Sequence, residues 1–306
     1  PNGGSNTFYP AIYGSYNLKK NKISLIGGIR YTWNHIYASF TENVLGFLSD
    51  DFELKKHSLN GSLSTYFYPN ETTKIYLDLS TGFRAPNIDD LGKVFIKDQF
   101  LTVPNGQLLP EYAYNFSLGI GKKMEFENIQ LSFSSSSFIT ILDNVITKQS
   151  LEINGSSLFY YDSNFYEVLA NQNSETGLVY GISGSLSIIF FNDLKFHSSL
   201  CYTKGIIKSN QVPMSHIPPL FGNLNLSYNL KKFEIQILNN FNAEKIIELF
   251  GQGNTDNPLE ASPMGYPGWW VVNTKFGYQY REFLNLSIGF YNLLDIHYKT
   301  FASGIS

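Results

Sequence analysis

The feature that most constrains the fold is a period-two alternation of apolar and polar residues along the whole chain. In the stretch YAYNFSLGI, residues 112–120, every second residue is large and apolar, and the residues between are small or polar. Such alternation is typical of β-strands with two different faces. About twelve such segments occur, many of about ten residues, whereas strands in soluble proteins usually have about five or six. Ten tilted residues are enough to cross a bilayer.

The connections between these segments alternate between short turns and long polar loops. Short turns are predicted at residues 19–22, 69–73, 122–127, 192–193, 231–232 and 281–282, and long loops near residues 36–56, 85–110, 150–164, 205–217 and 247–267. Short turns on one rim and long loops on the other are typical of outer-membrane barrels. The sequence therefore predicts an all-β, antiparallel transmembrane barrel, in preference to a soluble β-sandwich whose apolar face is a core.

Composition excludes several classes of function. A net charge of −3 offers no basic footprint for nucleic acid, and charged residues make up 15% of the chain against roughly 25% in soluble domains. One cysteine, Cys201, and the lack of a Cys/His cluster argue against a zinc site. Because no nucleophile-elbow motif is present either, we expect no enzyme, no metal site and no resident cofactor.

Two stretches resemble a known family. Residues 80–90, STGFRAPNIDD, and residues 103–120, VPNGQLLPEYAYNFSLGI, resemble TonB-dependent outer-membrane receptors, especially those of the Bacteroidetes type. The segments IPPL at 217–220 and YNLLDIHYKTFASGIS at 291–306 resemble the same family. The resemblance implies a barrel of about 22 strands with a plugged lumen.

The twelve segments of this chain would then be about strands ten to twenty-one of that barrel, with residues 284–298 as the penultimate strand. Residues 1–306 would be the C-terminal portion of the barrel domain. The plug, the energy-coupling box, the early strands and the closing strand would lie outside them.

The resemblance also implies a function. Such receptors sit in the cell outer membrane of Gram-negative bacteria, capture a scarce nutrient at their outer loops and import it with energy delivered through TonB. The implied partners are outer-membrane lipid, a nutrient ligand (siderophore, haem, cobalamin or glycan) and the TonB complex, reached through the plug segment. Two alternatives stay open: a passive porin-like channel, and a surface barrel that docks an extracellular lipoprotein or adhesin.

The motif residues are expected to face the plug or the ligand. Parity places Arg84 on the inward wall, where it is expected to pair with a carboxylate of the plug or a neighbouring strand rather than with an anionic ligand. Asp89 and Asp90 are expected to cap a short helical piece within residues 89–97. The full set is Arg84, Pro86, Asn87, Asp89, Asp90, Asn105 and Glu111.

Possible ligand contacts are loop imidazoles and aromatic rings, which can stack on a flat siderophore or sugar or simply fill an interfacial girdle. They are His297, His216, Trp269, Trp270, Tyr160 and Tyr161. His297 is the leading imidazole, because its register points inward near the outer end of its predicted strand. His35 and His57 fall on the lipid-facing register. No histidine lies between residues 85 and 114, where haem receptors of the family carry an axial ligand, and this argues against haem.

Overall fold

The computed structural model describes residues 4–39, 51–92, 94–97, 99–173, 176–209, 211–251 and 255–303. Almost all regular structure in these ranges is β-strand. The strands are β1 (Gly4–Phe8), β2 (Ala11–Lys20), β3 (Ile23–Ser39), β4 (Asp51–Asn70), β5 (Thr73–Arg84), β6 (Phe95–Lys97), β7 (Phe100–Val103), β8 (Glu111–Phe126), β9 (Ile129–Asp143), β10 (Ile146–Ser150), β11 (Leu158–Tyr161), β12 (Asn164–Asn173), β13 (Thr176–Phe190), β14 (Leu194–Ile207), β15 (Val212–Pro213), β16 (Phe221–Leu230), β17 (Phe233–Asn242), β18 (Lys245–Ile246), β19 (Gly265–Tyr266), β20 (Trp269–Arg281) and β21 (Leu284–Phe290). One helix, α1 (Ile88–Gly92), and two 3₁₀ turns, Ile247–Leu249 and Pro258–Glu260, complete the elements of these ranges.

The long strands form one antiparallel sheet in the order β1-β3-β4-β5-β8-β9-β13-β14-β16-β17-β20-β21. Both β1 and β2 pair with β3, so they act as one strand that is interrupted at Tyr9 and Pro10, where proline has no N–H to donate. The predicted antiparallel architecture and its twelve or so long strands are confirmed. Within the described ranges no ladder joins β21 back to β1 or β2, so the sheet is open, as expected for an incomplete barrel.

The two faces of this sheet differ in polarity. On β8, Phe116, Leu118 and Ile120 are 40–48% exposed on the side that we call the outward face. Pairs of serines hydrogen-bond across strands on the opposite, inward face, for example Ser134 with Ser185 at 2.7 Å. A row of large exposed apolar side chains is stable against hydrocarbon rather than water, which agrees with a membrane-facing wall.

The short turns lie at residues 21–22, 71–72, 127–128, 191–193, 231–232 and 282–283. All six overlap the predicted positions. The predicted turn at residues 122–127 starts too early, because β8 continues until Phe126 pairs with Ile129 and only Glu127 and Asn128 turn.

The long loops at the other rim contain more structure than the predicted polar connections. The β3–β4 ladder continues to the Ser39–Asp51 pair, so the described part of the predicted loop at 36–56 is strand, and residues 40–50 lie outside the described residues. Two further loops, about residues 85–110 and 144–175, together build a five-stranded sheet in the order β10-β12-β7-β6, with β11 beside β12. We call it the loop sheet. Its strands β7 and β12 are parallel.

Buried apolar side chains hold the loop sheet together and fix it to the wall. Leu101, Val103, Val168 and Ala170 form its core and are at most 4% exposed. A second cluster joins the wall to the loops, with Ile36 and Leu54 from β3 and β4 packed against Leu91 and Leu108. The loops therefore cover the inward face at the outer rim.

The last strand is shorter than predicted. β21 ends at Phe290, and the chain then leaves the sheet through Asn292 and Asp295, which have positive φ values of 52° and 50°. The Asn292 side chain accepts a hydrogen bond from the Ile296 N–H at 3.0 Å and donates to the Ile296 carbonyl at 3.1 Å. These bonds stabilise a turn, so the prediction of a strand over residues 284–298 is wrong.

Candidate functional site

Arg84 of β5, Asp90 of α1 and Glu111 of β8 form a cluster of ion pairs, which we call the ionic knot. Arg84 stands opposite Glu111 in the β5–β8 ladder, and its guanidinium Nε donates to the Glu111 carboxylate. A second nitrogen of Arg84 donates to Asp90 Oδ2 at 2.7 Å. The other Glu111 oxygen accepts the backbone N–H of Ile146 at 2.6 Å. Arg84 thus pairs with a neighbouring strand, and the knot ties the wall to the start of the loop sheet.

Helix α1 begins with a reciprocal cap. Asn87 Oδ1 accepts the N–H of Asp90 at 2.8 Å, and Asp90 Oδ2 accepts the N–H of Asn87 at 3.0 Å. This is the geometry of a capping box, with Asn87 as the N-cap. The expectation that Asp89 and Asp90 cap the helix is therefore corrected: Asp90 supplies the return bond, and Asp89 is exposed. Pro86, before the cap, is fully buried.

Three asparagines connect this knot to the loop sheet. Asn105 donates to the Asn171 carbonyl at 2.8 Å and accepts the Gln107 N–H at 3.0 Å. Asn171 donates to the Asp90 carbonyl at 3.0 Å, and Asn173 exchanges bonds of 2.7 and 2.9 Å with the backbone of Leu109. The motif residues therefore connect the wall to the loop sheet at the outer rim.

We expect Asn87→Ala to weaken the cap by about 1 kcal/mol, because the Asp90 N–H loses its acceptor at the first turn. Hydrogen exchange should report it as roughly fivefold faster exchange of the Asp90 and Leu91 amides. Asp89→Asn, in the same turn but exposed, is the matched control and should leave these rates nearly unchanged. Equal acceleration by both variants would contradict the capping assignment.

A second polar centre lies in the loop after β14 and the loop before β19. Asp256 is fully buried, and its two carboxylate oxygens accept the backbone N–H groups of His216 and Gly251, both at 2.7 Å. The imidazole Nδ1 of His216 lies 3.4 Å from the same carboxylate, while the side chain is 67% exposed. Asp256 therefore fixes the backbone at His216 and places its ring at the surface.

The positive charge of Lys245 interacts with this carboxylate. Lys245 is 7% exposed and donates to the Ile217 carbonyl at 2.9 Å. Burial lowers the pKa of Lys245, and the negative charge of Asp256 partly opposes that shift. The rings of Phe250, Tyr266 and Phe301 pack around this centre with centroids 5.5–5.7 Å apart.

Two cavities open on either side of His216. One, of about 360 Å³, lies between the loop sheet and the loop after β14 and is lined by Glu111, Ile146 and Met214 among others. The other, of about 660 Å³, lies against the inward wall and is lined by Ser199 of β14 and by asparagines of β16 and β17, together with Trp269. His216 lines both. The arrangement can offer one imidazole and several neutral hydrogen-bonding groups to a bound molecule.

Trp269 and Trp270, two of the predicted aromatic contacts, lie on opposite faces of the sheet. Trp269 lines the larger cavity and packs on Tyr298 at a centroid distance of 4.6 Å. Its buried indole N–H has no hydrogen-bond partner among the described residues. Trp270 follows it on the outward face, where it stacks on Phe241 at 5.3 Å. Only Trp269 of this pair can face a ligand in the lumen.

The remaining predicted contacts lie away from both cavities. Tyr160 and Tyr161 are exposed on the β11–β12 hairpin, where Tyr160 packs on Phe165 at 5.0 Å. His297 is exposed in the segment after β21, so its expected inward position on a strand is wrong. Asp256 and Lys245 were missed by sequence reasoning. The only local signal is the turn-like Asp256-Asn257-Pro258, which gives no indication of burial.

In the ranges that the structure describes, no three His, Cys, Asp or Glu side chains are grouped so that they could hold a metal ion. The same ranges contain no helix of the length and apolarity needed to span a membrane.

Comparison with known proteins gives the family. The sequence model described as TonB dependent receptor-like, beta-barrel matches residues 1–293. The chain is 25% identical over 293 residues to the probable hemoglobin and hemoglobin-haptoglobin-binding protein 4 of Haemophilus influenzae, covering 90% of this chain and 28% of that protein.

Solved structures share the fold. The copper transporter OprC superposes with a TM-score of 0.78 at 16% identity, over 97% of this chain and 44% of that one. The Serratia marcescens hemophore receptor HasR, solved with its hemophore HasA and heme, superposes with a TM-score of 0.72 at 14% identity, over 97% of this chain and 50% of that one. This chain thus spans half or less of the length of these relatives. It belongs to the β-barrel family of TonB-dependent receptors, which are outer-membrane proteins of Gram-negative bacteria.

Proposed function

We propose that the chain is the C-terminal part of the barrel of an energised import receptor. In this proposal a scarce nutrient binds in the cavities around His216 and passes inward with energy delivered through TonB. One observation supports the proposal most directly. The exposed imidazole of His216, positioned by the buried carboxylate of Asp256, lines two cavities on the inward side of the sheet, where the loops cover it. The plug and the remaining strands would come from the rest of the polypeptide.

The proposed cargo is a ferric siderophore or a similar metal chelate. The larger cavity offers neutral amides, hydroxyls and the rings of Trp269 and Phe301, which can hydrogen-bond to and stack on a partly aromatic chelate. The names of relatives point to the same range of cargo, since they include haemoglobin binding, a copper transporter and a ferric-catecholate import receptor. Binding and passage would involve no covalent chemistry on the protein.

A passive channel is less favoured, because tightly packed side chains fix the loop sheet over the inward face. The deciding experiment measures uptake by cells that carry the complete receptor, with and without TonB. The probes are a ferric catecholate, haem, copper(II) and cobalamin. We expect TonB-dependent uptake of one probe. Uptake that persists without TonB would favour the porin-like channel, and a receptor that only binds an extracellular lipoprotein would favour the docking barrel.

His216→Asn tests the site directly. Asparagine tolerates the left-handed backbone at this position, where φ is 62°, so the backbone bond to Asp256 should survive while the imidazole is lost. We expect the Kd of the transported probe to rise about tenfold, which corresponds to one good hydrogen bond or coordination contact.

His297→Asn is the matched control, because His297 is exposed and lines neither cavity around His216. The Kd of the His297→Asn receptor for the transported probe should change less than about twofold. An unchanged Kd of the transported probe in His216→Asn would contradict the role of this imidazole.

A further inference from the structure

Asparagine followed by glycine occurs four times in the chain, and one of these pairs lies in an exposed turn of the outer loops. The pairs begin at Asn2, Asn60, Asn105 and Asn154, and the structure describes the last three. Because glycine has no side chain to hinder its nitrogen, this dipeptide is especially prone to spontaneous deamidation. The fold determines which of the three described pairs can react.

Residues 153–156 form a tight turn between β10 and β11. Ile153 and Ser156 exchange backbone hydrogen bonds of 2.8 and 3.1 Å across it. The two central residues, Asn154 and Gly155, have positive φ values of 53° and 82°. Positive φ at both central positions defines a type I′ turn, in which Asn-Gly is a preferred pair. Both residues are exposed, so water and hydroxide can reach the side-chain amide and the peptide nitrogen.

No hydrogen bond restrains the two groups that would react at this turn. Among the residues that the structure describes, the side-chain amide of Asn154 and the N–H of Gly155 have no hydrogen-bond partner. The amide can therefore rotate toward the nitrogen of Gly155 without the loss of a contact. Loop tips of this kind are also where the backbone is most mobile.

The other two described pairs are restrained by the fold. Asn60 lies within β4, where the N–H of Gly61 donates to Thr81 Oγ1 at 2.8 Å. The side-chain amide of Asn105 is held at both ends, by the backbone hydrogen bonds of 2.8 and 3.0 Å described above. At either position a hydrogen bond must break before the reacting atoms can meet, which raises the barrier to reaction.

We propose that Asn154 is a site of spontaneous modification, at which the folded receptor converts an asparagine to aspartate or isoaspartate. The Gly155 nitrogen gives its proton to hydroxide and attacks Cγ of Asn154. A new C–N bond forms, and the amide nitrogen leaves as ammonia after it takes up a proton from water, so that a cyclic succinimide remains. Water then adds to one of the two ring carbonyls and opens the ring, giving aspartate or isoaspartate. No oxidant or reductant takes part.

The isoaspartate product would alter the turn. Its main chain runs through the former side chain, which adds a methylene group to the backbone between residues 154 and 155. The paired bonds between Ile153 and Ser156 require a two-residue turn, so we expect the longer link to break at least one of them. Ile153 packs against the apolar core of the loop sheet, and the modification would therefore loosen this edge of the sheet. This inference depends on the turn and not on nutrient import.

The test is peptide mapping of the complete receptor by mass spectrometry during incubation in mildly alkaline buffer. We expect deamidation to be at least about tenfold faster at Asn154 than at Asn60 or Asn105. Synthetic peptides that span the three pairs are the control, and their rates should agree within about threefold, because the contacts of the fold are absent. Deamidation of Asn60 or Asn105 as fast as that of Asn154 in the folded receptor would overturn the inference. An Asn154 that stays intact while its peptide reacts would overturn it too.

The structural consequence is tested with Asn154→Gln, because glutamine must close a larger ring and reacts far more slowly. Hydrogen exchange of the Ile153 and Ser156 amides should become about tenfold faster as the wild type is modified, and should stay constant in the variant. Asn154→Gly, which adopts positive φ readily, serves as a second variant if glutamine disturbs the turn. Exchange that is unchanged in the modified wild type would contradict the loosening of the turn.

Discussion

Asp256→Ala should open the loop centre beside the cavities, with a loss of about 3 kcal/mol or more in local stability. The substitution removes the acceptor for the N–H groups of His216 and Gly251 and a negative charge that interacts with the buried Lys245. Hydrogen exchange of the His216 and Gly251 amides should accelerate by about two orders of magnitude. If His216 contacts the nutrient as proposed, binding of the transported probe should weaken as well, because His216 loses its fixed position.

The control for this experiment is Glu260→Ala in the same loop. Glu260 is exposed at the surface, where a hydrogen bond from Lys299 at 2.8 Å lowers the pKa of its carboxyl. Exposed ion pairs contribute little to stability, so the exchange rates at His216 should stay near those of the wild type. An Asp256→Ala protein with unchanged exchange at both amides would show that the carboxylate does not hold this loop.

Glu111→Ala should release the loop sheet from the wall, at a local cost of about 2–3 kcal/mol. Its carboxylate accepts hydrogen bonds from the Arg84 guanidinium and from the Ile146 N–H. The substitution removes the acceptor of both bonds at the point where β10 starts. We expect faster proteolysis between residues 144 and 175 and roughly 30-fold faster exchange of the Ile146 amide.

Two variants separate this effect from a general weakening of β8. Glu111→Gln keeps an oxygen that can accept the Ile146 N–H, so its loss of local stability should be much smaller than that of Glu111→Ala. Glu125→Ala changes an exposed glutamate at the turn end of the same strand and should leave the loops protected. Equal protection of the loops in Glu111→Ala and Glu125→Ala would contradict the role of the ionic knot.

The strands of the wall could be predicted from the sequence, because the alternation that specifies each strand lies within that strand. Each strand carries its own alternation, and a slip of one residue would turn every apolar side chain of that strand inward. Segments such as 112–120 therefore predict both the strand and its outward face, and a short turn brings the next strand alongside. The strand end at Phe290 was not predictable, because it depends on the turn that Asn292 and Asp295 form beyond it.

The loop sheet follows no such local rule. Its central ladder pairs Phe100–Val103 with residues 167–170 in parallel. The two segments are more than 60 positions apart in the sequence. The short segments that form it have no long alternation and read as polar loops. Their pairing depends on the wall, since Leu91 and Leu108 are buried only where Ile36 and Leu54 meet them.

The candidate site was predicted in part. The motif residues Arg84, Asn87, Asp90, Asn105 and Glu111 do meet, but they bind one another and the loop sheet. His216 and Trp269 line the cavities, whereas His297 does not. Asp256 and Lys245 could not be identified, because a charged residue in a polar loop is normally solvated and only the folded loops bury these two.

The parallel ladder between β7 and β12 has a mechanical consequence. Two loops that leave the wall at separate hairpins share one set of backbone hydrogen bonds, so neither can swing away while the other stays in place. In the proposed import function, a nutrient that enters beside the loop sheet would have to pass around it or displace the two loops together. After proteolysis of one loop, the cut segment would stay bound to the other loop through this ladder.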